Sequence, residues 1–257
     1  MKIIADGVDI TPIVGGLTWK NTIAELATTM AFEVAKLNAQ YTKSYLPRPN
    51  GIVTMQTNAE VFRGVVLNVD DSNPNFNKYT LADFGWYLNK DKVVYQFDKM
   101  PVPKALAEMC GDHNIALDSV CDIPVEITAI YNDKTISEII KDILEQATAW
   151  TGYAYNFDMT PQGLRVYRLG DMHAYPEFKQ SSNTRNIYSP IVRGDVAHSL
   201  DIDGTEKASC TIIEAVDSYT RAGYEIKIDD VKYIIQSSDH SIKKGIHYNK
   251  LDLKRVG

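Results

Sequence analysis

Residues 60–97 read EVFRGVVLNVDDSNPNFNKYTLADFGWYLNKDKVVYQF. An apolar run from Val61 to Val69 stops at a polar turn cluster, Asp70 to Lys78. A second run starts at Tyr79, and a third, Val93 to Phe97, follows a Lys/Asp break. Strand, turn, strand, turn, strand predicts a meander of a small antiparallel sheet. Within it, Phe62 and Gly64 share one strand face and Arg63 takes the other. A glycine inside a strand marks a bulge or the close approach of another backbone. Phe62, Arg63 and Gly64 are therefore candidates for a barrel corner within the chain or for a subunit contact.

The β pattern continues on both sides. Val8–Val14 and Leu17–Trp19 flank a Gly15-Gly16 turn, and Met30, Phe32 and Val34 alternate in a strand pattern. Tyr41–Asn50, with Pro47 and Pro49, reads as loop. Ile52–Gln56 and Glu60–Asn68 have hairpin spacing around residues 57–59. Toward the other end, Ala208–Val216, Tyr224–Ile228, Val231–Gln236 and Tyr248–Leu253 read as strands, with Asp229-Asp230 as a tight hairpin break. The polar stretch Gly170–Arg193, which includes Gln180–Asn186, reads as a linker.

The middle differs. Pro103–Asp112 carries Leu106, Met109 and Cys110 at helical spacing. Thr135-Ile136-Ser137-Glu138 is a capping box, in which the Thr hydroxyl and Glu carboxylate satisfy free amides of a first helical turn. Ile136, Ile139, Ile140, Ile143, Leu144, Ala147 and Trp150 then form one apolar stripe, and Gly152 supplies the stop. Tyr153–Met159 and Leu164–Leu169 bracket a Pro- and Gly-containing hairpin turn. The expected fold is α+β, mainly β. It has a β-rich part over 1–97, a small α/β unit with two helices over 98–170, and a linker plus second β-rich part over 171–257.

A chain of 257 residues buries a core without disulfides or metal. Its three cysteines have no C-x-x-C spacing, which argues against a zinc ribbon and fits synthesis in a reducing compartment. The start, MKIIADGVDI, is too short an apolar run for a signal-peptide core, and no run reaches membrane-spanning length. Net charge −6 disfavours general binding to nucleic acid or anionic lipid.

No G-x-S-x-G, P-loop, G-x-G-x-x-G or H-E-x-x-H pattern occurs, and Asp83-Phe84-Gly85 lacks every other kinase element. Glu138, Asp142 and Glu145 fall on the solvated side of an amphipathic helix, not in a carboxylate pair. His240 and His247 flank a Lys-Lys-Gly turn and face each other across a hairpin. With no third ligand in sight, they read as a strand-end pair near solvent, not as a metal site. No catalytic residue, cofactor or metal is expected.

Phe62-Arg63-Gly64-Val65-Val66, then Tyr79–Asp83 with Tyr87-Leu88, then Tyr95-Gln96-Phe97, then the Pro103–Cys110 helix resembles, in order, the hub proteins of contractile phage tails. The type is the XkdQ/YqbQ group of prophage-like elements in Gram-positive bacteria. Gly223–Ile226, Tyr233–Ile235, His240 and His247–Leu253 resemble that group's closing strands; residues 171–216 match least. The resemblance implies a non-enzymatic baseplate hub: a homotrimer in which 1–97 and 171–257 of each chain form two tube-like antiparallel β-barrels that continue a sixfold tail tube and seat a threefold central spike. Implied partners are the tube, spike and tape-measure proteins, with the protein made in the bacterial cytoplasm and carried in the virion. Acidic side chains facing a lumen would let DNA slide. The rival expectations are a tail-borne cell-wall hydrolase and a carbohydrate-binding module using the plentiful Tyr and Trp.

Overall fold

The computed structural model describes residues 1–36, 46–173, 191, 197–200, 204–214 and 220–256. Most of the linker expectation, including 180–186, and much of the 41–50 loop lie outside the described residues.

The first elements are β1 (Lys2–Ala5), β2 (Val8–Asp9), β3 (Val14–Thr22), β4 (Thr29–Ala35), β5 (Ile52–Gln56), β6 (Glu60–Asp70) and β7 (Phe76–Asp83). They pair antiparallel in the order β3-β4-β7-β6-β5-β1-β2. The two ends of this series, β2 and β3, are consecutive in the chain and joined by a single 3-10 turn, Thr11–Ile13. A link of five residue steps spans at most about 17 Å, so the series curls around one core. Alternation fills that core: Met30, Phe32 and Val34 from β4, Tyr79 and Leu81 from β7, Phe62 and Val66 from β6, and Trp19 from β3 are all buried.

The middle elements are β8 (Lys92–Pro101), α1 (Val102–Asp112), β9 (Leu117–Val120), β10 (Glu126–Thr135), α2 (Ile136–Thr151), β11 (Tyr155–Thr160) and β12 (Gly163–Arg168). The expected meander is corrected here. β6 and β7 pair as read, but after the 3-10 turn Phe84–Asn89 the third strand, β8, leaves that sheet and pairs with β10. It does so because its inward residue Phe97 belongs to the core under α1 and α2. α2 starts on the predicted box: Thr135 Oγ1 accepts from Glu138 N, and Glu138 Oε2 accepts from Thr135 N. It ends at Gly152, with φ 74. Ile136, Ile139, Ile140, Ile143, Leu144 and Ala147 are buried, but Trp150 is 82% exposed. The stripe runs on for one turn beyond the surface it covers. β11, β12 and β9 form a third sheet, with β9 parallel to β12.

The last elements are β13 (Ala197–Leu200), β14 (Glu206–Glu214), β15 (Glu225–Ile228), β16 (Val231–Lys243) and β17 (Ile246–Arg255). Asp229 and Asp230, with φ 47 and 69, make the predicted β15–β16 turn. These strands do not stand apart from the first set. β16 pairs antiparallel with β3, Trp19 opposite His240, so one 12-stranded sheet runs through both β-rich ends. A bulge at Gln236 lets β16 serve two cores. Before it, Tyr233 and Ile235 pack with Cys210, Ile212 and Leu251; beyond it, Ile242 packs against the first core. The fold is α+β and mainly β.

Candidate functional site

The three cores meet at Arg221, which enters β15 from the segment 220–224. Its side chain is only 4% exposed, and its Nε lies 3.3 Å from Asp158 Oδ2. Asp158, on β11, also takes a two-pronged bond from Arg165 of β12: Nε to Oδ1 at 3.0 Å and Nη2 to Oδ2 at 2.7 Å. Burial alone would lower the Arg165 pKa, but the Asp158 bonds and charge raise it above the ordinary value.

Toward the first core, Arg221 Nη2 donates to Thr28 Oγ1 at 3.3 Å, and Thr28 N donates to Asp83 Oδ2 at 2.8 Å. Asp83 Oδ1 accepts from Gly85 N and so caps the 3-10 turn that carries the chain into the middle unit. Burial pushes the Asp83 carboxyl up to about 6, against the opposing pull of Thr28 and Arg221. Ala222 N donates to Asn21 Oδ1 of β3 at 2.6 Å, and Tyr167 Oη of β12 donates to Ala222 O at 3.4 Å. Two adjacent residues from the last third of the chain, Arg221 and Ala222, thereby tie β3, β11 and β12, and reach β7 through Thr28. Burying two arginines against two carboxylates adds little net stability, because desolvation cancels most of the attraction. Its effect is to fix one relative placement of three packed units.

Phe62, Arg63 and Gly64 lie in β6, which is hydrogen-bonded on both sides by β5 and β7 of the same chain. Phe62 is buried in the first core. A Cβ at Gly64 would sit 2.3 Å from the Ala82 carbonyl oxygen, so only glycine lets β7 approach this closely. Arg63 faces outward and pairs with Glu60, Nε to Oε1 at 2.6 Å. It lines an open groove of about 610 Å³ between the first sheet and the middle unit, together with Tyr87, Lys90, Asp91, His113 and Gln162. Asp91 is the only carboxylate among the residues lining it.

His240 and His247 do face each other, with His240 Nδ1 2.9 Å from His247 Nε2. The solvent-near reading is overturned: both are buried, 0% and 2% exposed. The cause is Trp19 of β3, which stacks on the His240 ring at 4.5 Å between centroids and lies tilted against the His247 ring at 4.9 Å. Among the described residues, no three His, Cys, Asp or Glu side chains cluster as metal ligands. No described helix is long and apolar enough to cross a membrane. The described cysteines Cys110, Cys121 and Cys210 form no disulfide, and burial pushes the Cys110 thiol up to about 11, which makes it inert.

Two aliphatic side chains of the middle unit face outward. On the β8–β10 ribbon, Val94 is 69% and Ile130 73% exposed.

The model of the YQBQ-like family matches residues 17–203. The chain belongs to the YQBQ-like family. A search of curated proteins by sequence finds no match. Solved structures give the YQBQ-like chain its fold. It aligns with the 43 kDa tail protein of prophage MuSo2 from Shewanella oneidensis at TM-score 0.73 and 10% identity, over 99% of this chain and 97% of that one. The tail protein from Neisseria meningitidis MC58 aligns at TM-score 0.73 and 10% identity, over 98% and 95%. The E. coli c3393 protein, a component of the type VI secretion system with structural similarity to the T4 bacteriophage tail proteins gp27 and gp5, aligns at TM-score 0.66 and 10% identity, over 100% and 77%. This YQBQ-like chain thus has the fold of prophage tail proteins along nearly its whole length.

Sequence reading missed the Arg221 junction. Its members, Asn21, Thr28, Asp83, Asp158, Arg165 and Arg221, share no spacing. The one local signal was Asp83 directly before Phe84-Gly85, the pattern of a capping aspartate.

Proposed function

We propose that this chain is a structural baseplate hub of a contractile phage-like tail, working by shape and subunit contacts and without catalysis. The supporting observation is the end-to-end likeness to prophage tail proteins. The continuous sheet that joins two β-rich ends in one chain agrees with it. In this reading the units 1–97 and 171–257 each act as a tube-like barrel, with 98–170 as the α/β unit between them. Three chains then present six barrels, which lets a threefold ring continue a sixfold tail tube and seat a threefold spike. The partners are the tube protein, the central spike and the tape-measure protein. The protein is made in the bacterial cytoplasm and ends in the virion.

The exposed Val94 and Ile130 suit an assembly protein better than a free-standing one. A tail-borne glycosidase would use two converging carboxylates, and the groove lining offers Asp91 alone. Sedimentation of the chain alone, with spike protein and with tube protein tests the reading. A threefold complex that forms with either partner is expected. A folded chain that associates with neither, or that clears a peptidoglycan suspension, overturns it.

A further inference from the structure

We propose that Trp19, His240 and His247 form an acid-sensitive latch on the β3–β16 seam, so that protonating the imidazoles parts the two β-rich ends of the molecule. The seam is short. Register pairs run only from Thr18–Ser241 to Thr22–Ser237, and His240 lies opposite Trp19, one pair in from the Thr18 end. Every other strand contact of β3 and β16 is to its own end of the chain: β3 to β4, and β16 to β15 and β17. Opening these five register pairs, with the flanking bonds Ile23 N to Gln236 O, Ala222 N to Asn21 Oδ1 and Arg221 Nη2 to Thr28 Oγ1, would separate the ends without unpairing the strands of either one.

The hydrogen bonds at the latch form a chain that suits neutral rings. Ser238 Oγ has carbonyl acceptors at Thr220 O, 3.0 Å, and Asn249 Oδ1, 2.9 Å. With its proton given there, Ser238 Oγ accepts from His240 Nε2 at 2.7 Å. His240 Nδ1 is then the acceptor for His247 Nε2–H at 2.9 Å. One added proton puts a full charge on a buried pair of rings, one of which, His240, lies flat on an indole.

The backbone of Thr220 gives that charge its one point of relief, and the other packed groups do not offset it. β3 faces it with the uncharged Trp19 and Asn21, and β17 with the uncharged Asn249 and with His247, whose own protonation would add a like charge. The 220–224 segment brings Arg221, a like charge. Burial first, then His247 and Arg221, hold the His240 imidazole well below its ordinary range. Lys20, Asp239 and Lys250 are exposed on the opposite face of the sheet. Glu214 is the register partner of His247 across β14–β17. Asp83, in the adjoining junction, works in the other direction, because its raised pKa favours the folded state on acidification.

Backbone amide exchange of the full chain, at about pH 7.5 and about pH 5 and corrected for intrinsic rates, tests the latch. The expected result is a loss of protection of about tenfold or more for residues 18–22 and 237–241 at the lower pH, with residues 139–147 of α2 unchanged. In the double variant His240→Gln/His247→Gln the seam's response disappears. The ring signals of His240 and His247, followed by NMR in the unaltered protein, give a second reading that needs no variant. They should titrate only as the seam amides open. Seam amides that stay protected at the lower pH, or imidazoles that titrate in the ordinary range with the seam closed, overturn the proposal.

Discussion

The Tyr167 hydroxyl fills the space that a side chain at residue 223 would need. A Cβ built on Gly223 falls 2.1 Å from Tyr167 Oη, and Gly223 holds φ +88, a conformation costly for other residues. Two penalties therefore act together in Gly223→Ala. The expected loss is about 3 kcal/mol of unfolding free energy, measured by urea titration. Gly15→Ala, whose added Cβ meets nothing within 4 Å, serves as the contrasting variant and should shift stability by less than about 1 kcal/mol.

Arg221→Met should cost about 3 kcal/mol, because it strips one partner from a buried carboxylate that keeps only Arg165. The more telling outcome is cooperativity. With the three-way tie cut, calorimetry should resolve the middle unit as a separate transition. Arg221→Lys should not restore the single transition, since an ammonium cannot reach Asp158 and Thr28 together as a planar fork does.

Asp83 sets a pH dependence of unusual sign. Its carboxyl is raised from 3.8 to about 6 in the folded chain. Its contribution is full below the unfolded value and is lost as pH rises through about 6. The total is on the order of 3 kcal/mol across that window. Asp83→Asn should flatten this part of the stability–pH curve while lowering stability throughout by about 1–2 kcal/mol, since an amide cannot accept from both Thr28 N and Gly85 N. Equilibrium unfolding at several pH values checks both effects.

Val94→Ser/Ile130→Ser should leave the unfolding midpoint within about 0.5 kcal/mol of the parent, because both side chains already face outward. On the hub reading, the same pair should weaken the assembled form in sedimentation. That separates a role in association from a role in folding.

What the sequence made legible was local. The capping box at Thr135 and Glu138, the stop at Gly152 and the Asp229-Asp230 turn each depend on neighbours within a few residues, so their chemistry could be read directly. The strand faces of Met30, Phe32 and Val34 followed from alternation alone. What stayed hidden depends on distant partners. His240 looked solvent-near because nothing around it in sequence announces that Trp19 covers it. β8 looked like a third meander strand because its exit is decided by Phe97 packing under α1 and α2, a property of the core and not of the run Val93–Phe97. The Arg221 junction draws on three units and six scattered residues, and no spacing rule could assemble them. The YqbQ resemblance reached the family where these pairings could not be read.

The β3–β16 pairing also has a consequence in time. Trp19 is synthesised early, whereas its partner strand follows about 220 residues later, which at ribosomal speeds means on the order of ten to forty seconds. Through that interval one long side of β3 has unanswered amides and carbonyls, an invitation to any neighbouring nascent chain. Whatever shelters that side on the ribosome, chaperone or a transient fold of the chain itself, governs how much of each batch reaches its native form.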